Sequence, residues 1–243
     1  MNILSIGNSF SQDAQRYLNQ IAKADGKELN CFNLYIGGCA ISKHYRNMIS
    51  DERAYALEVN GLNTRFQVSL KEALLSHNWD VVTLQQASRN SMDYDTYQPY
   101  LDELVEFVRY TCPKAKIAIH QTWAYEQGSS RLLDDVKYDD YRKMLQDIVQ
   151  AYGQAAQDIE ADYIIPSGEV FGAMLENGVQ KVHRDSCHAS RGLGRYALGL
   201  VWYRILTGGE IADNSFAAFD EEISPEEIAI AKKSVLEVAE RYR

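Results

Sequence analysis

A chain of 243 residues with 46% apolar side chains can bury a sizeable core, and one domain spanning residues 1–243 is expected. A net charge of −9, with acidic residues scattered along the chain, excludes the basic footprint that nucleic acid or an anionic membrane surface requires. No apolar run approaches the roughly 20 residues that span a bilayer, so no transmembrane segment is expected either.

Along the chain, short apolar runs alternate with longer amphipathic ones, the signature of βαβ units around a parallel sheet. "NILSIG" (2–7) reads as the first strand, with a helix over 12–24, and "ELNCFNLYIG" (28–37) as the second, ending in a Gly-Gly turn. Residues 44–66 break the alternation. Asn60-Gly61 there is a hairpin signal, the alternative being an irregular insertion that covers the site as a lid. A helix over 66–77 precedes the strand "WDVVTLQQ" (79–86), and a helix over 94–111 precedes "AKIAIHQTW" (115–123). A helix over 134–158 leads into the last strand, "ADYIIP" (161–166), and helices over 167–176, 190–206 and 224–242 complete the chain. The last has an acidic start and a basic end, which suits the helix dipole.

The cysteines, Cys31, Cys39, Cys112 and Cys187, form no CxxC or zinc-type spacing and read as reduced thiols. Met1 runs directly into the first strand without a basic region or cleavage site, so a cytoplasmic protein is expected; a secreted or periplasmic one follows if a signal peptide has been removed. No Walker-type or dinucleotide loop is present, and no cofactor is expected.

In open parallel sheets, ligands bind beyond the carboxyl ends of the strands. The residues there are Gly7-Asn8-Ser9, Gly37-Gly38-Cys39, Gln85-Gln86-Ala87-Ser88 and Gln121-Thr122-Trp123. In "IGNSFSQDA" (6–14), Ser9 and Gln12 make an S-x-x-Q capping box, and Ser11 is an equally good cap. The competing role for Ser9 is chemical. A serine hydroxyl attacks only when a base accepts its proton, and histidine is an effective base when an acid fixes its tautomer. "VHRDSCHASRGLGRY" (182–196) supplies both in Asp185 and His188. His183, Asp185 and His188 also read as a metal-binding H-x-D-x-x-H, but that reading leaves "GNSFS" unused, and metal sites usually recruit more than one segment. Metal is not expected. Cys187 lacks the basic surroundings of a reactive thiol.

"GNSFS" near the start, Gly-Gly after the second strand and D-x-x-H near the end resemble the SGNH (GDSL-type) hydrolases, over residues 6 to 188. The resemblance implies a flavodoxin-like three-layer α/β/α sandwich with a central five-stranded parallel sheet. It implies Ser9 as nucleophile, His188 as base and Asp185 as the acid that orients it. For the oxyanion it implies the backbone N–H of Ser9, at a helix start, and that of Gly38, with Gly37 as fallback. The family's third donor, an asparagine in G-x-N-D, is missing. "TLQQASRN" stands there instead, and "QQAS" looks like the Q-G-E-[SN] block of a carbohydrate-deacetylating branch. That makes Gln85 the first choice for the donor and Gln86 the second, unless one of them ties down loop backbone.

The expected substrate is a small-molecule or carbohydrate ester, an acetyl ester above all. Trp123 would offer a platform for a sugar ring, with Gln121 beside it, ordinary packing being the alternative; His44, after the Gly-Gly loop, would face the pocket or else stand on the surface at a helix start. The altered third block also admits an inactive carbohydrate-binding protein on the same fold. Oligomeric state is not legible in these residues.

Overall fold

The computed structural model describes residues 1–242. One sheet of seven strands runs through it, in the order β4-β3-β2-β1-β5-β6-β7. The five expected strands are its parallel part: β1 (Asn2–Gly7), β2 (Asn30–Tyr35), β5 (Val81–Leu84), β6 (Lys116–His120) and β7 (Tyr163–Ile165). Their spatial order, β2-β1-β5-β6-β7, is the flavodoxin-like one, and strand order reverses at β1. Apolar side chains dominate these strands because helices cover both faces; Ile3, Leu4, Ile6, Val82 and Ile119 are essentially inaccessible to solvent.

Residues 44–66 resolve into three elements rather than a lid. Helix α3 (Ile41–Ser50) comes first, then a hairpin of β3 (Tyr55–Val59) and β4 (Leu62–Val68) that adds two antiparallel strands outside β2. The turn is Asn60-Gly61, both with positive φ. A Cβ at Gly61 would lie 2.7 Å from the carbonyl oxygen of Arg16, so only glycine fits under this turn.

Helices α1 (Ser9–Gln15), α2 (Leu18–Ala24), α7 (Ser167–Glu176) and α9 (Pro225–Ala239) gather around α8 (Leu193–Thr207) in one layer. Helix α8 is apolar on nearly every side, as a helix enclosed by others must be. Helices α4 (Leu70–Ser76) and α5 (Tyr100–Thr111) pack with α3 in the other layer, and α6 (Tyr141–Asp158) packs on α7 and β7. The helix expected over 12–24 is two, since the chain turns at Arg16-Tyr17, and the one expected from 134 begins at Tyr141 after a single wide turn over 131–135. Among the described residues, no helix is long and apolar enough to cross a membrane.

Candidate active site

The site lies at the carboxyl end of β1, where strand order reverses. Helix α1 starts there, and its cap is Asn8 rather than Ser9. The Asn8 side-chain oxygen accepts from the N–H of Phe10 at 3.0 Å, and the Ser11 hydroxyl accepts from the N–H of Asn8 at 3.1 Å. Gln12, the other half of the expected box, turns away to Glu58 on β3. Ser9, at the first helical position, is left with a free hydroxyl and a backbone N–H that has no acceptor within the helix.

That hydroxyl meets the far end of the chain. Ser9 Oγ lies 2.9 Å from His188 Nε2, and His188 Nδ1 lies 2.9 Å from Asp185 Oδ2. A carboxylate only accepts, so Nδ1 carries the proton, and Nε2 is free to accept the proton of Ser9. Asp185 Oδ1 accepts from the backbone N–H groups of Cys187 (2.9 Å) and His188 (2.7 Å). Partial burial pushes the Asp185 pKa upward, but these N–H donors and the His188 ring outweigh it and hold the carboxyl well below its ordinary value. Asp185 is thus an anion throughout the neutral range.

Behind these three side chains, Phe10 stacks on Trp123 with centroids 3.9 Å apart and planes within 5°, and the Trp123 indole N–H donates to the carbonyl of Cys187 at 2.7 Å. The rings join the helix that bears Ser9, the loop after β6 and the loop bearing His188.

In front of Ser9 and His188 is a cavity of about 920 Å³. Ser9, His188, Gly37 and Gly38 line it, with Tyr125 and Ser88 paired at 2.9 Å between their hydroxyl oxygens. Arg89, Arg131, Asp134 and Asp135 form a charged rim of both signs. Cys187 lines it too, but burial raises its thiol pKa to about 12, the state of an unreactive thiol.

Several expected site residues lie elsewhere. Gln85 does not face the cavity: its amide N–H donates to Asn8 Oδ1 at 2.7 Å, and its carbonyl faces His120 Nδ1 at 2.9 Å. Gln86 is likewise committed, accepting from the N–H of Ile41 (3.0 Å) and of Ala87 (2.8 Å) and donating to Thr96. Gln86 holds loop backbone, and Gln85 ties together two neighbouring side chains. Trp123 is wholly buried and supports Phe10, so it offers no platform. Gln121 is buried against Glu169. His44 is buried against Tyr55, its Nδ1 3.0 Å from the phenol oxygen, and burial lowers its pKa to about 3. His183 is tied by Nε2 to the carbonyl of Ala124 at 3.0 Å, so the H-x-D-x-x-H reading loses its first ligand. The residues whose donor atoms do converge are Asp185, Cys187 and His188, within 4.8 Å of one another.

Two residues carried no local sequence signal: Asp13, which binds the loop around His188, and Tyr125, the partner of Ser88. A family model described as a domain of unknown function, DUF4886, matches residues 2–238. The chain belongs to the DUF4886 family. A DUF4886 family protein from Bacteroides uniformis ATCC 8492 is 30% identical over 98% of this chain and 94% of that one, with a TM-score of 0.90. A candidate SGNH hydrolase from Slackia heliotrinireducens shares 22% identity, covering 84% of this DUF4886 chain and 98% of its own, with a TM-score of 0.61. A candidate GDSL-like lipase from Parabacteroides merdae ATCC 43184 shares 12% identity over 83% and 93% of the two chains, with a TM-score of 0.54. No curated protein matches. The DUF4886 chain therefore has the flavodoxin-like α/β/α fold of the SGNH hydrolases.

Proposed function

We propose that this DUF4886 protein is a serine esterase that removes a small acyl group, acetyl above all, from a carbohydrate or similar polar substrate. The observation that carries the reading is the unbroken chain Ser9 Oγ, His188 Nε2, His188 Nδ1, Asp185, with both contacts at 2.9 Å, at the wall of an open polar cavity. In this reading Ser9 Oγ attacks the ester carbonyl carbon while His188 Nε2 takes its proton. His188 then gives that proton to the departing sugar oxygen as the carbonyl–oxygen bond breaks, leaving the acyl group on Ser9. Water, deprotonated by the same nitrogen, releases the acid and restores the hydroxyl.

The negative oxygen of each tetrahedral intermediate needs fixed donors. The Ser9 and Gly38 N–H groups serve as two, and the Gly38 N–H has no backbone acceptor among the described residues. Since neither glutamine amide faces the cavity, the third role passes to the Ser88 hydroxyl, which lies beyond β5 and lines it. A rim carrying both arginines and carboxylates suits a polyhydroxylated partner, to which guanidinium groups donate and from which carboxylates accept.

The test is hydrolysis of p-nitrophenyl acetate and of peracetylated monosaccharides by wild type, Ser9→Ala and Ser11→Ala, with and without EDTA. The reading expects turnover lost in Ser9→Ala, kept in folded Ser11→Ala and indifferent to chelation. Equal rates in wild type and Ser9→Ala would overturn it, and loss on chelation would favour a metal at Asp185, Cys187 and His188.

A further inference from the structure

Serine and histidine of the triad come from segments 179 residues apart, so something must hold helix α1 and the 183–189 loop in register to within a fraction of an ångström. The loop is a tight stem. His183 bridges Ala189, the N–H of Arg184 donates to the carbonyl of His188 at 2.9 Å, and the N–H of Ser190 donates to the carbonyl of Val182 at 2.7 Å. Asp185 and His188 sit at its tip, and Arg184 and Ala189 flank them.

Both flanking residues bind one side chain. Asp13 lies four residues after Ser9, on the same face of α1 about one helical turn away, and it is inaccessible to solvent. Its carboxylate accepts from Arg184 Nη1 (2.8 and 2.9 Å) and from the N–H of Ala189 (3.2 Å). Arg184 Nη1 also donates to the carbonyl of Ala189 at 2.6 Å, closing the stem. A second guanidinium, Arg195 on α8, donates to Asp13 Oδ1 at 2.8 Å and to Asp220 at 3.0 Å, and Asp220 is in turn bound by Arg16. Asp13 is not among the cavity residues and has no contact with the reacting atoms.

We propose that Asp13 is a positioning residue, a buried anion on the nucleophile's own helix that grips the acid–base loop on both sides of Asp185-Ser186-Cys187-His188 and sets the distance from Ser9 to His188. Arg184 is the arm that reaches the loop, and Arg195 the arm that anchors Asp13 to α8. A carboxylate is suited to this, because each oxygen accepts more than one donor and charge-assisted bonds in a dry site are short and directional. The effect on rate rests on the esterase reading; the effect on geometry does not.

The two arginines give a discriminating test, since Asp13→Asn would leave two cations without their anion and risks unfolding. Arg184→Met and Arg195→Met each remove one partner of Asp13, and only the first loosens the loop, leaving it the single bond from the Ala189 N–H to Asp13. Each is compared with wild type for thermal midpoint, for kcat and KM on p-nitrophenyl acetate, and for the far-downfield proton NMR signal of the His188 Nδ1–H bound to Asp185. The expected result is comparable loss of thermal stability in both. Arg184→Met alone should lose the downfield signal and drop kcat about 10²-fold with KM little changed, the scale of a misplacement near 1 Å. Loss of kcat in both variants in proportion to their stability, or an intact signal and kcat in Arg184→Met, would overturn the proposal. A wild type that shows the signal but no ester hydrolysis, with the signal lost only in Arg184→Met, would sustain the clamp and refute the esterase.

Discussion

Replacing Asp185 by Asn changes one atom and reverses the hydrogen bonding of the proposed Ser9–His188–Asp185 triad. Oδ1 of Asp185 accepts from the N–H groups of Cys187 and His188, so the amide oxygen of the variant stays there, and its NH₂ faces His188 Nδ1 where Oδ2 had been. Two donors cannot share that contact. Nδ1 gives up its proton and accepts, the proton moves to Nε2, and the nitrogen 2.9 Å from Ser9 Oγ is then a donor that cannot receive the serine proton. Where the acid is buried, this inversion costs about 10⁴ in kcat. Here the Asp185 side chain is 51% exposed, so water competes for it and trims the penalty. The expected fall in kcat is about 10² to 10⁴, or about 3 to 5 kcal/mol of transition-state stabilisation. The assay is p-nitrophenyl acetate hydrolysis at about pH 7.5, alongside a thermal melt. The melt should barely move, because the backbone N–H groups keep their acceptor. An Asp185→Asn enzyme with kcat within about threefold of wild type would refute the assignment of Asp185.

Trp123→Phe keeps an aromatic surface against Phe10 but strips the buried Cys187 carbonyl of its indole donor; about 2–4 kcal/mol and ~4–16 °C of thermal midpoint should be lost, and an unchanged melt would contradict the bracing role. Ser88→Ala should lower kcat about 10- to 10³-fold with KM little changed, and steady-state kinetics showing an unaltered kcat would remove Ser88 from the oxyanion site. Burial lowers the pKa of His120 from 6.5 to about 3, so the folded protein keeps it neutral while the unfolded chain takes up a proton below pH 6.5. Its contribution is complete above that pH and is lost as pH falls towards 3, at about 1.4 kcal/mol per unit. His120→Gln should therefore flatten urea-derived stability against pH between about pH 6 and 4; parallel curves for the two proteins would contradict this.

What could be read from the residues was set by the range of the interactions. The parallel strands were legible because burial on both faces forces continuous apolar runs, and the hairpin because Asn60-Gly61 has a local steric cause. Helix α3 was legible only as a helix start at His44, because its apolar stripe is just Ile41, Tyr45 and Met48 and two of the three residues it fully buries, His44 and Asn47, are polar. Ser9, Asp185 and His188 stood out through short motifs and their place at strand ends. Gln85 and Gln86 misled because a side chain's chemistry is local, whereas the partners that claim it, Asn8, His120, Ile41 and Thr96, arrive from other strands and loops. Trp123 misled similarly: an aromatic residue past a strand end faces solvent or core according to what lies above it, here Phe10. Asp13 and Arg184 are 171 residues apart, and no spacing within either segment links them.

The most direct test of the account is to treat the protein with a fluorophosphonate, which phosphonylates only an activated serine, and to locate the adduct by peptide mass spectrometry. One adduct is expected, on Ser9, abolished in folded His188→Ala. Labelling at another serine, or labelling of Ser9 that survives loss of His188, would contradict it.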